Sequence, residues 1–216
     1  MAIEPSDTPY EMLASKAYWD ARYAADPLPF DSLQRYSTCA SYREALAPVL
    51  PPKNGSLLVV GAGTSRLAEE LVADGFSKVM TIDFSEAAVE LLNSRHASAG
   101  LQASVKNIHG DVRAMDEVTD AYVDAVLDKA TLDSLLCAED GDVAENSSSG
   151  AEKYVEEVAR VLKPGGRFVV LSLGPPEERL SLLQAAGLWS ATDHRKIEKP
   201  ASGPDNHFLY TLTRAK

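Results

Sequence analysis

The chain has 216 residues, of which 45% are hydrophobic and 25% are charged, and its net charge is −11. That length and composition are typical of one globular domain, and no apolar run is long enough to span a bilayer. The negative charge argues against nucleic acid as the main partner, because phosphate binding needs a basic surface. With two cysteines and no recognisable targeting signal, we expect a reducing, cytoplasmic setting without disulfides.

The N-terminal part is predicted to be mainly helical. Apolar and aromatic residues recur at helical spacing over residues 10–24, and a second helix is predicted over residues 40–47. Two prolines between them predict a loop over residues 25–36. Further prolines end the second helix ahead of the first strand.

The next stretch is predicted to form a strand, a glycine turn, a helix and a second strand. The apolar run over residues 57–60 predicts a buried parallel strand that ends in the glycine turn 61–63. A helical pattern covers residues 67–74, a second strand covers residues 78–82, and Asp83 follows it. Such a unit places backbone N–H groups and a carboxylate beside a ligand that carries a ribose.

The glycine turn alone leaves the ligand open. A dinucleotide site prefers a third glycine at position 66, which is Arg66 here, so a nicotinamide or flavin cofactor is disfavoured. A site for S-adenosylmethionine also uses a glycine turn and an acid after the second strand. An ordinary strand-to-helix turn without a ligand is the remaining alternative.

Strands and helices alternate through the rest of the chain. The further predicted strands are residues 103–109, 122–127, 168–173, 188–197 and 208–213. Three further helices are predicted: one that begins after Ser85 as its N-cap, one that carries an apolar stripe over residues 154–162, and one over residues 177–186. A polar segment, residues 139–150, is predicted to be a mobile loop, and residues 163–166 a turn. The alternation predicts a mostly parallel sheet with helices on both faces, and the last two strands should pair antiparallel.

Several strand ends carry a glycine or an acid, namely Gly61, Asp83, Asp111 and Asp128. In this architecture ligands bind beyond the carboxyl ends of the strands. This convergence favours a nucleotide-like site over an ordinary turn. Residues 111–145 also hold eleven acids against Arg113 and Lys129, a balance of −9. Solvated loops explain that balance better than an acidic rim for a basic protein substrate, which is the alternative.

The chain resembles a known family in five motifs. These are residues 18–23 (YWDARY), 59–65 (VVGAGTS), 82–85 (IDFS), 127–133 (LDKATLD) and 162–167 (LKPGGR). They are similar to motifs of the class I S-adenosylmethionine-dependent methyltransferases, and among these to the protein-lysine methyltransferases that act on translation elongation factor 1-alpha. The resemblance implies an α/β, Rossmann-like class I methyltransferase fold with a seven-stranded, mostly parallel sheet and an antiparallel final hairpin.

The resemblance also implies a role for each matching residue. The turn formed by Gly61, Ala62 and Gly63 would approach the methionine part of the cofactor. Asp83 would accept hydrogen bonds from the ribose hydroxyls. The remaining cofactor contacts implied are Phe84 along the adenine, Asp111 and Val112 at its amino group, Trp19 and Tyr23 closing over the cofactor, Arg22 at its carboxylate, and Lys129.

The implied catalytic residues are Asp128, Lys129 and Asp133, at the opening toward which the methyl group points. The four histidines have no metal-ligand spacing, so no metal is expected. The chain departs from the family pattern in three places: the turn reads GAGTS rather than GCGNS, Ser32 stands where relatives have a cofactor-contacting tryptophan, and Ala130 replaces a glycine.

We therefore expect one methyltransferase domain over residues 1–216, with an N-terminal helical lid (1–50) and a Rossmann-like core (51–216). The expected activity is S-adenosylmethionine-dependent methylation of a lysine on elongation factor 1-alpha or another cytoplasmic protein. A small-molecule methyltransferase and a non-catalytic S-adenosylmethionine-binding interaction module are the alternatives. We expect a monomer that binds neither nucleic acid nor a membrane.

Overall fold

A computed structural model describes residues 10–25, 39–137, 147–184, 187–197 and 207–216. The strands are β1 (Leu57–Val60), β2 (Val79–Asp83), β3 (Val105–His109), β4 (Val123–Lys129), β5 (Leu162–Ser172), β6 (Trp189–Ile197) and β7 (His207–Arg214). The helices are α1 (Lys16–Ala25), α2 (Cys39–Leu46), α3 (Leu67–Ala73), α4 (Glu86–Ser98), α5 (Thr131–Leu135), α6 (Ser147–Val161) and α7 (Pro176–Leu183), after a short 3₁₀ helix, Tyr10–Ala14.

The strands form one seven-stranded sheet in the order β3-β2-β1-β4-β5-β7-β6. The first five strands in this order, from β3 to β5, run parallel to one another, and β7 is antiparallel to both β5 and β6. The predicted fold class, a mostly parallel sheet with an antiparallel final hairpin, is confirmed. The parallel order brings the carboxyl ends of β1, β2 and β4 to one edge, where the predicted site residues lie.

Strand β1 is buried on both faces, which explains its unbroken apolar sequence. Leu58 and Val60 pack with residues of α6 and α7 on one face of the sheet. Leu57 and Val59 pack on the other face with residues of α2, α3 and α4. The period-2 alternation of a strand sends neighbouring side chains to opposite faces. Helices therefore cover both faces, as predicted.

Local capping explains where the helices beside the turn end and begin. Gly75 adopts φ +98°, and the N–H groups of Gly75 and Phe76 donate to the carbonyl oxygens of Val72 and Leu71. This pair of bonds closes α3 in the way that favours glycine at the left-handed position. The Ser85 hydroxyl accepts from the Ala88 N–H at 3.5 Å, so the predicted N-cap of α4 is confirmed.

The predicted helix over residues 10–24 is divided at Ser15. The Ser15 N–H donates to the Met12 carbonyl oxygen at 3.0 Å, and the Ser15 carbonyl oxygen accepts from the Trp19 N–H at 3.3 Å, which begins α1. The Trp19 indole N–H donates to the Leu13 carbonyl oxygen at 2.7 Å. That side-chain bond takes a carbonyl that a continuous helix would have paired with the backbone.

Two loop predictions are wrong in part. Residues 147–150 belong to α6 rather than to the predicted loop. They form the first turn of the helix, ahead of the buried Ala151. Residues 163–166 lie inside β5, where the pairing with β4 jumps from Leu162 to Arg167. The predicted turn is therefore an irregularity within a strand.

Other predictions fall outside the described residues. These are the loop with Ser32, residues 139–146, and the last two residues of the helix predicted to end at 186. Within the ranges that the structure does describe, none of the helices has both the length and the apolar character needed to cross a membrane.

Candidate active site

A cavity opens at the carboxyl edge of the sheet, and most of the predicted site residues line it. Those in the lining are Trp19, Tyr23, Gly61, Ala62, Gly63, Asp83, Phe84, Asp111, Val112, Lys129 and Asp133. Two predicted residues, Arg22 and Asp128, lie outside the lining. The lining also contains apolar side chains from the N-terminal 3₁₀ helix and from α5, among them Leu13 and Leu135.

The glycine turn is closely approached from two sides. Gly61 and Gly63 have φ +54° and +50°, a region that only glycine enters without strain. A Cβ at Gly61 would overlap the side chain of Thr131, and a Cβ at Gly63 would overlap the Tyr23 hydroxyl. Both glycines are therefore required by backbone conformation and by the space left for them. At positions 61 and 63 the turn therefore presents backbone atoms, and no side chain, to the cavity.

Asp83 fixes the turn to the end of β2. One carboxylate oxygen accepts from the Gly63 N–H at 2.7 Å and the other from the Ser85 N–H at 2.9 Å. The side chain is buried, and burial raises the pKa of Asp83. Because a carboxylate offers about four lone-pair sites, capacity remains for donors on a bound ligand.

Asp111, just beyond the end of β3, lines the same cavity and is paired with Arg113. The guanidinium donates to both carboxylate oxygens, with Nη2 at 2.7 Å from Oδ2. Burial would raise the pKa of Asp111, but the hydrogen bonds from Arg113 hold it below its usual range. Arg113 also lines the cavity and was not among the predicted site residues. The sequence signal that could have identified Arg113 is its position two residues after Asp111.

Helix α1 covers the turn with two stacked aromatic rings. The centroids of Trp19 and Tyr23 are 5.5 Å apart with an interplanar angle of 27°. Burial and the neighbouring Asp83 charge raise the pKa of Tyr23, so its hydroxyl is protonated. Arg22 lies on the same helix outside the lining, so the arrangement gives no support to the implied contact with a cofactor carboxylate.

The expected position of Asp128 at the opening is wrong. Its carboxylate is 2% exposed and accepts from the Thr131 N–H at 2.8 Å, the Leu132 N–H at 3.0 Å and the Tyr154 hydroxyl at 2.6 Å. Successive side chains of β4 point to opposite faces, so Asp128 turns inward while Lys129 lines the cavity. Burial raises the pKa of Asp128 to about 7. Asp128 therefore shapes the start of α5 and does not face a substrate.

Asp133 lies in the lining but is held by neighbouring elements. One oxygen accepts from the Leu173 N–H at 2.9 Å, and the other lies 3.1 Å from Nη2 of Arg179. The Ser172 hydroxyl donates to the same oxygen as Arg179. The side chains of Asp133 and Arg179 are 12% and 14% exposed, so the pair is mostly shielded from solvent. No local pattern in the sequence predicted this network, which joins α5, β5 and α7.

The junction between β4 and α5 contains a strained residue. Ala130 has φ +73°, a left-handed conformation that is unfavourable for a residue with a Cβ. The Thr131 hydroxyl that follows donates to the Val60 carbonyl oxygen at 3.0 Å, which ties the junction to β1. A glycine at this position would adopt the same conformation without that cost.

The lining fits S-adenosylmethionine better than it fits a metal or a dinucleotide. The glycines of the turn expose backbone, the buried carboxylate of Asp83 stands beside it, and a second acid, Asp111, lines the same cavity. Position 66, where a dinucleotide site prefers glycine, carries Arg66 directly ahead of α3. Among the described residues, no group of three His, Cys, Asp or Glu side chains has the arrangement of a metal site.

Known proteins resemble the chain in sequence and in structure. A family model described as a methyltransferase domain matches residues 58–170. The EEF1A lysine methyltransferase 4 of Mus musculus is 35% identical over 167 residues, which are 76% of this chain and 62% of that relative. The eEF1A lysine and N-terminal methyltransferase of Homo sapiens is 33% identical over 138 residues, which are 64% of this chain and 19% of that protein.

The fold is shared with solved structures at lower identity. A SAM-dependent methyltransferase from Methanosarcina mazei superposes with a TM-score of 0.62 at 17% identity, over 79% of this chain and 97% of the other. The chain thus spans about three fifths of the mouse relative's length and nearly all of the archaeal chain. The matched region includes most of β1 and of β5, the glycine turn, Asp83 and Asp111. The chain belongs to the methyltransferase domain family.

Proposed function

We propose that this chain is an S-adenosylmethionine-dependent protein-lysine N-methyltransferase. The observation that carries the proposal is the bond from the Gly63 N–H to the buried Asp83 carboxylate at the cavity, within a methyltransferase domain. Relatives named as EEF1A lysine methyltransferases support elongation factor 1-alpha as the substrate. The proposal includes a cytoplasmic setting and a monomer that binds neither nucleic acid nor a membrane.

Residues that line the cavity would hold the cofactor. In the proposal, the turn 61–63 approaches the methionine part, Asp83 accepts from the ribose hydroxyls, and Asp111 with the Val112 backbone receives the adenine, with Phe84 along its ring. The Tyr23 hydroxyl of α1 already lies against Gly63, and Trp19 stacks on Tyr23. We propose residues 1–50 as a lid on a single domain, with the core over 51–216.

The chemistry places modest demands on the protein. S-adenosylmethionine supplies a methyl group already activated on a sulfonium, so the protein mainly has to align the nucleophile and exclude water. A lysine nucleophile has to be neutral, which costs about 4–5 kcal/mol at pH 7 from its reference pKa. Apolar lining residues such as Leu13, Leu135 and Leu173 would desolvate the ammonium and lower its pKa.

Neither Asp128 nor Asp133 is suited to strong base catalysis. Asp128 faces away from the cavity and is hydrogen-bonded by Tyr154. Asp133 is paired with Arg179, so its charge is already compensated. We therefore assign Asp128 a structural role, and we propose that Asp133 and Lys129 position the substrate amine at the opening.

Isothermal titration of S-adenosylmethionine and of NADH tests the cofactor assignment. We compare the wild type with Asp83→Ala, with the milder Asp83→Asn, and with Asp193→Asn on the exposed strand β6 as the control. Loss of a hydrogen bond to a charged group costs about 1.5–3 kcal/mol, so Asp83→Asn should weaken S-adenosylmethionine binding by roughly 10- to 100-fold. Asp193→Asn should bind like the wild type.

Two results would contradict the assignment. One is binding of NADH in place of S-adenosylmethionine. The other is undiminished S-adenosylmethionine affinity in a folded Asp83→Asn variant, which would place the ligand away from the β2 end. Circular dichroism of each variant separates loss of binding from loss of fold.

A further inference from the structure

Arg95 of α4 binds the backbone that directly follows the glycine turn. Its Nη1 donates to the Thr64 carbonyl oxygen at 2.9 Å, and its Nη2 donates to the Ser65 carbonyl oxygen at 2.5 Å. Thr64 and Ser65 come next after Gly63, and both line the cavity. A planar guanidinium can reach two successive carbonyl groups at once, whereas a lysine ammonium acts as a single point charge.

Glu69 of α3 holds the guanidinium from its other side. Nε of Arg95 lies 2.5 Å from Oε1 of Glu69, and Oε2 of Glu69 lies 3.4 Å from Nε2 of the buried His96. The side chains of Arg95 and Glu69 are only 20% and 18% exposed, so solvent and salt screen this pair less than a surface pair. Glu69 thus adds a shielded ion pair to the two carbonyl contacts of Arg95.

The two carbonyl groups belong to a segment that needs external support. Gly61 and Gly63 carry positive φ angles, and glycine loses more backbone freedom on folding than any other residue. Thr64 and Ser65 are 1% and 8% exposed, so their carbonyl groups have little water to bind. Arg95 satisfies both groups and connects the end of the turn to α3 and α4.

We infer that Arg95 is a positioning residue for the cofactor, holding the turn in its binding conformation through the Thr64 and Ser65 carbonyl groups. The inference rests on the proposed function, because it concerns the turn that would receive S-adenosylmethionine. Arg95 itself lies outside the cavity lining and acts through the backbone. Glu69 is the partner that orients it.

Arg95→Met and Arg95→Lys test the inference, with Arg43→Met as the matched control. Arg43 pairs with Asp74 at 3.0 Å, its side chain is 56% exposed, and it is absent from the lining, so its loss removes a surface ion pair. We measure the dissociation constant and stoichiometry for S-adenosylmethionine by titration, and the melting temperature of each full-length variant. In a methyl-transfer assay we measure KM for S-adenosylmethionine and kcat.

Both Arg95 variants should bind S-adenosylmethionine about tenfold more weakly at unchanged stoichiometry, because about 1.4 kcal/mol of turn stabilisation is lost. KM for S-adenosylmethionine should rise by a similar factor while kcat at saturation changes little, and Arg43→Met should match the wild type. Lysine should fail to rescue, since it cannot hold both carbonyl groups. This combination supports positioning, because a purely structural defect lowers the melting temperature and the bound fraction without changing affinity.

Wild-type affinity in folded Arg95→Met would overturn the inference, even with a lower melting temperature. If Arg95→Met does not fold, Arg95→Lys decides the question, and full affinity in it would overturn the requirement for the guanidinium. Failure of the wild type to bind S-adenosylmethionine would instead overturn the proposed function, and this inference with it. The two failures are therefore distinguishable.

Discussion

Two buried carboxylates near the ends of β2 and β4, the strands on either side of β1, have different tasks. Asp83 ends β2, lines the cavity and accepts the Gly63 N–H. Asp128 lies near the end of β4, faces the core and accepts from the backbone of α5 and from Tyr154. The difference follows from the face of the strand that each side chain occupies. Of the two, Asp83 is the residue placed to bind a ligand.

Asp128 should make stability depend on pH. Its pKa is about 7 in the folded chain against a reference of 3.8, so between these values the folded chain holds the proton that the unfolded chain has released. The contribution of this group to the free energy of unfolding therefore falls as pH rises from about 4 to 7, and is constant above that range. Urea unfolding of the wild type and Asp128→Asn at pH 5, 6, 7 and 8 measures the difference.

The stability of the wild type relative to Asp128→Asn should decline from pH 5 to about pH 7 and then level off. Asp124→Asn is the control: burial would raise the pKa of Asp124, but hydrogen bonds from Lys163 and Ser56 lower it, so its titration lies below this window. Parallel profiles for the wild type and Asp128→Asn would show that Asp128 is ionised throughout.

Ala130→Gly should stabilise the chain. Ala130 adopts φ +73°, and a left-handed conformation costs a residue with a Cβ roughly 1–2 kcal/mol. Part of that gain is offset by the larger freedom of glycine in the unfolded chain, about 0.4–1 kcal/mol. We expect a net increase of about 0.5–1 kcal/mol in the free energy of unfolding, measured by denaturant titration.

Ala99→Gly provides the matched comparison. Ala99 has φ −87° at the end of α4 and is exposed, so glycine there only adds freedom to the unfolded chain and should destabilise it. Equal effects of the two substitutions would contradict the assignment of strain to Ala130.

Helix α1 is attached to the core by few side chains. Trp19 is its one buried residue in the described chain, and Tyr23 stacks on it above Gly63. The Lys16–Asp20 pair on the same helix is exposed and contributes little. An element with so few buried contacts opens at a lower free energy than the sheet does. The proposed lid should therefore respond to ligand more strongly than the core does.

Hydrogen exchange should show that response in α1. At an S-adenosylmethionine concentration 100 times Kd, the ligand stabilises the bound form by about 2.7 kcal/mol, so amide exchange in α1 should slow by up to about a hundredfold. Strand β6 of the core is the internal reference, because it lies at the exposed edge of the sheet and none of its residues lines the cavity. Unchanged exchange in α1 at saturation would contradict the lid proposal.

In the described part of the acidic stretch, residues 111–137, four of the acidic side chains form ion pairs with nearby cations. Asp111 pairs with Arg113, Asp120 with Arg160, Asp124 with Lys163, and Asp133 with Arg179. The acids of the first three pairs are partly or largely exposed, which favours the interpretation of this stretch as solvated strand ends and loops, whereas the Asp133–Arg179 pair is shielded. They give no support to a continuous acidic rim for recognising a basic partner.

The features that could be predicted from the sequence are those with local signals. The apolar run of β1, the glycine turn and Asp83 lie within one short stretch, and their periodicity and residue types determine their structure. The inward position of Asp128 could also have been predicted, since adjacent residues of a strand face opposite sides of the sheet.

The features that were missed depend on distant partners. Arg95 meets Thr64 across 31 residues of chain, and Arg179 meets Asp133 across 46. Neither pairing leaves a periodic pattern or a motif, so only the packed sheet shows it. The break at Ser15 likewise depends on the Trp19 indole reaching Leu13, which helical spacing does not reveal.

Transfer of a labelled methyl group from S-adenosylmethionine to purified elongation factor 1-alpha tests the central claim most directly. The wild-type chain should label a lysine side chain, located by mass spectrometry, and Asp83→Asn should lose most of that activity while Asp193→Asn retains it. Binding of S-adenosylmethionine without transfer to any protein in cytoplasmic lysate would contradict the claim, and would favour a small-molecule substrate or a non-catalytic binding module.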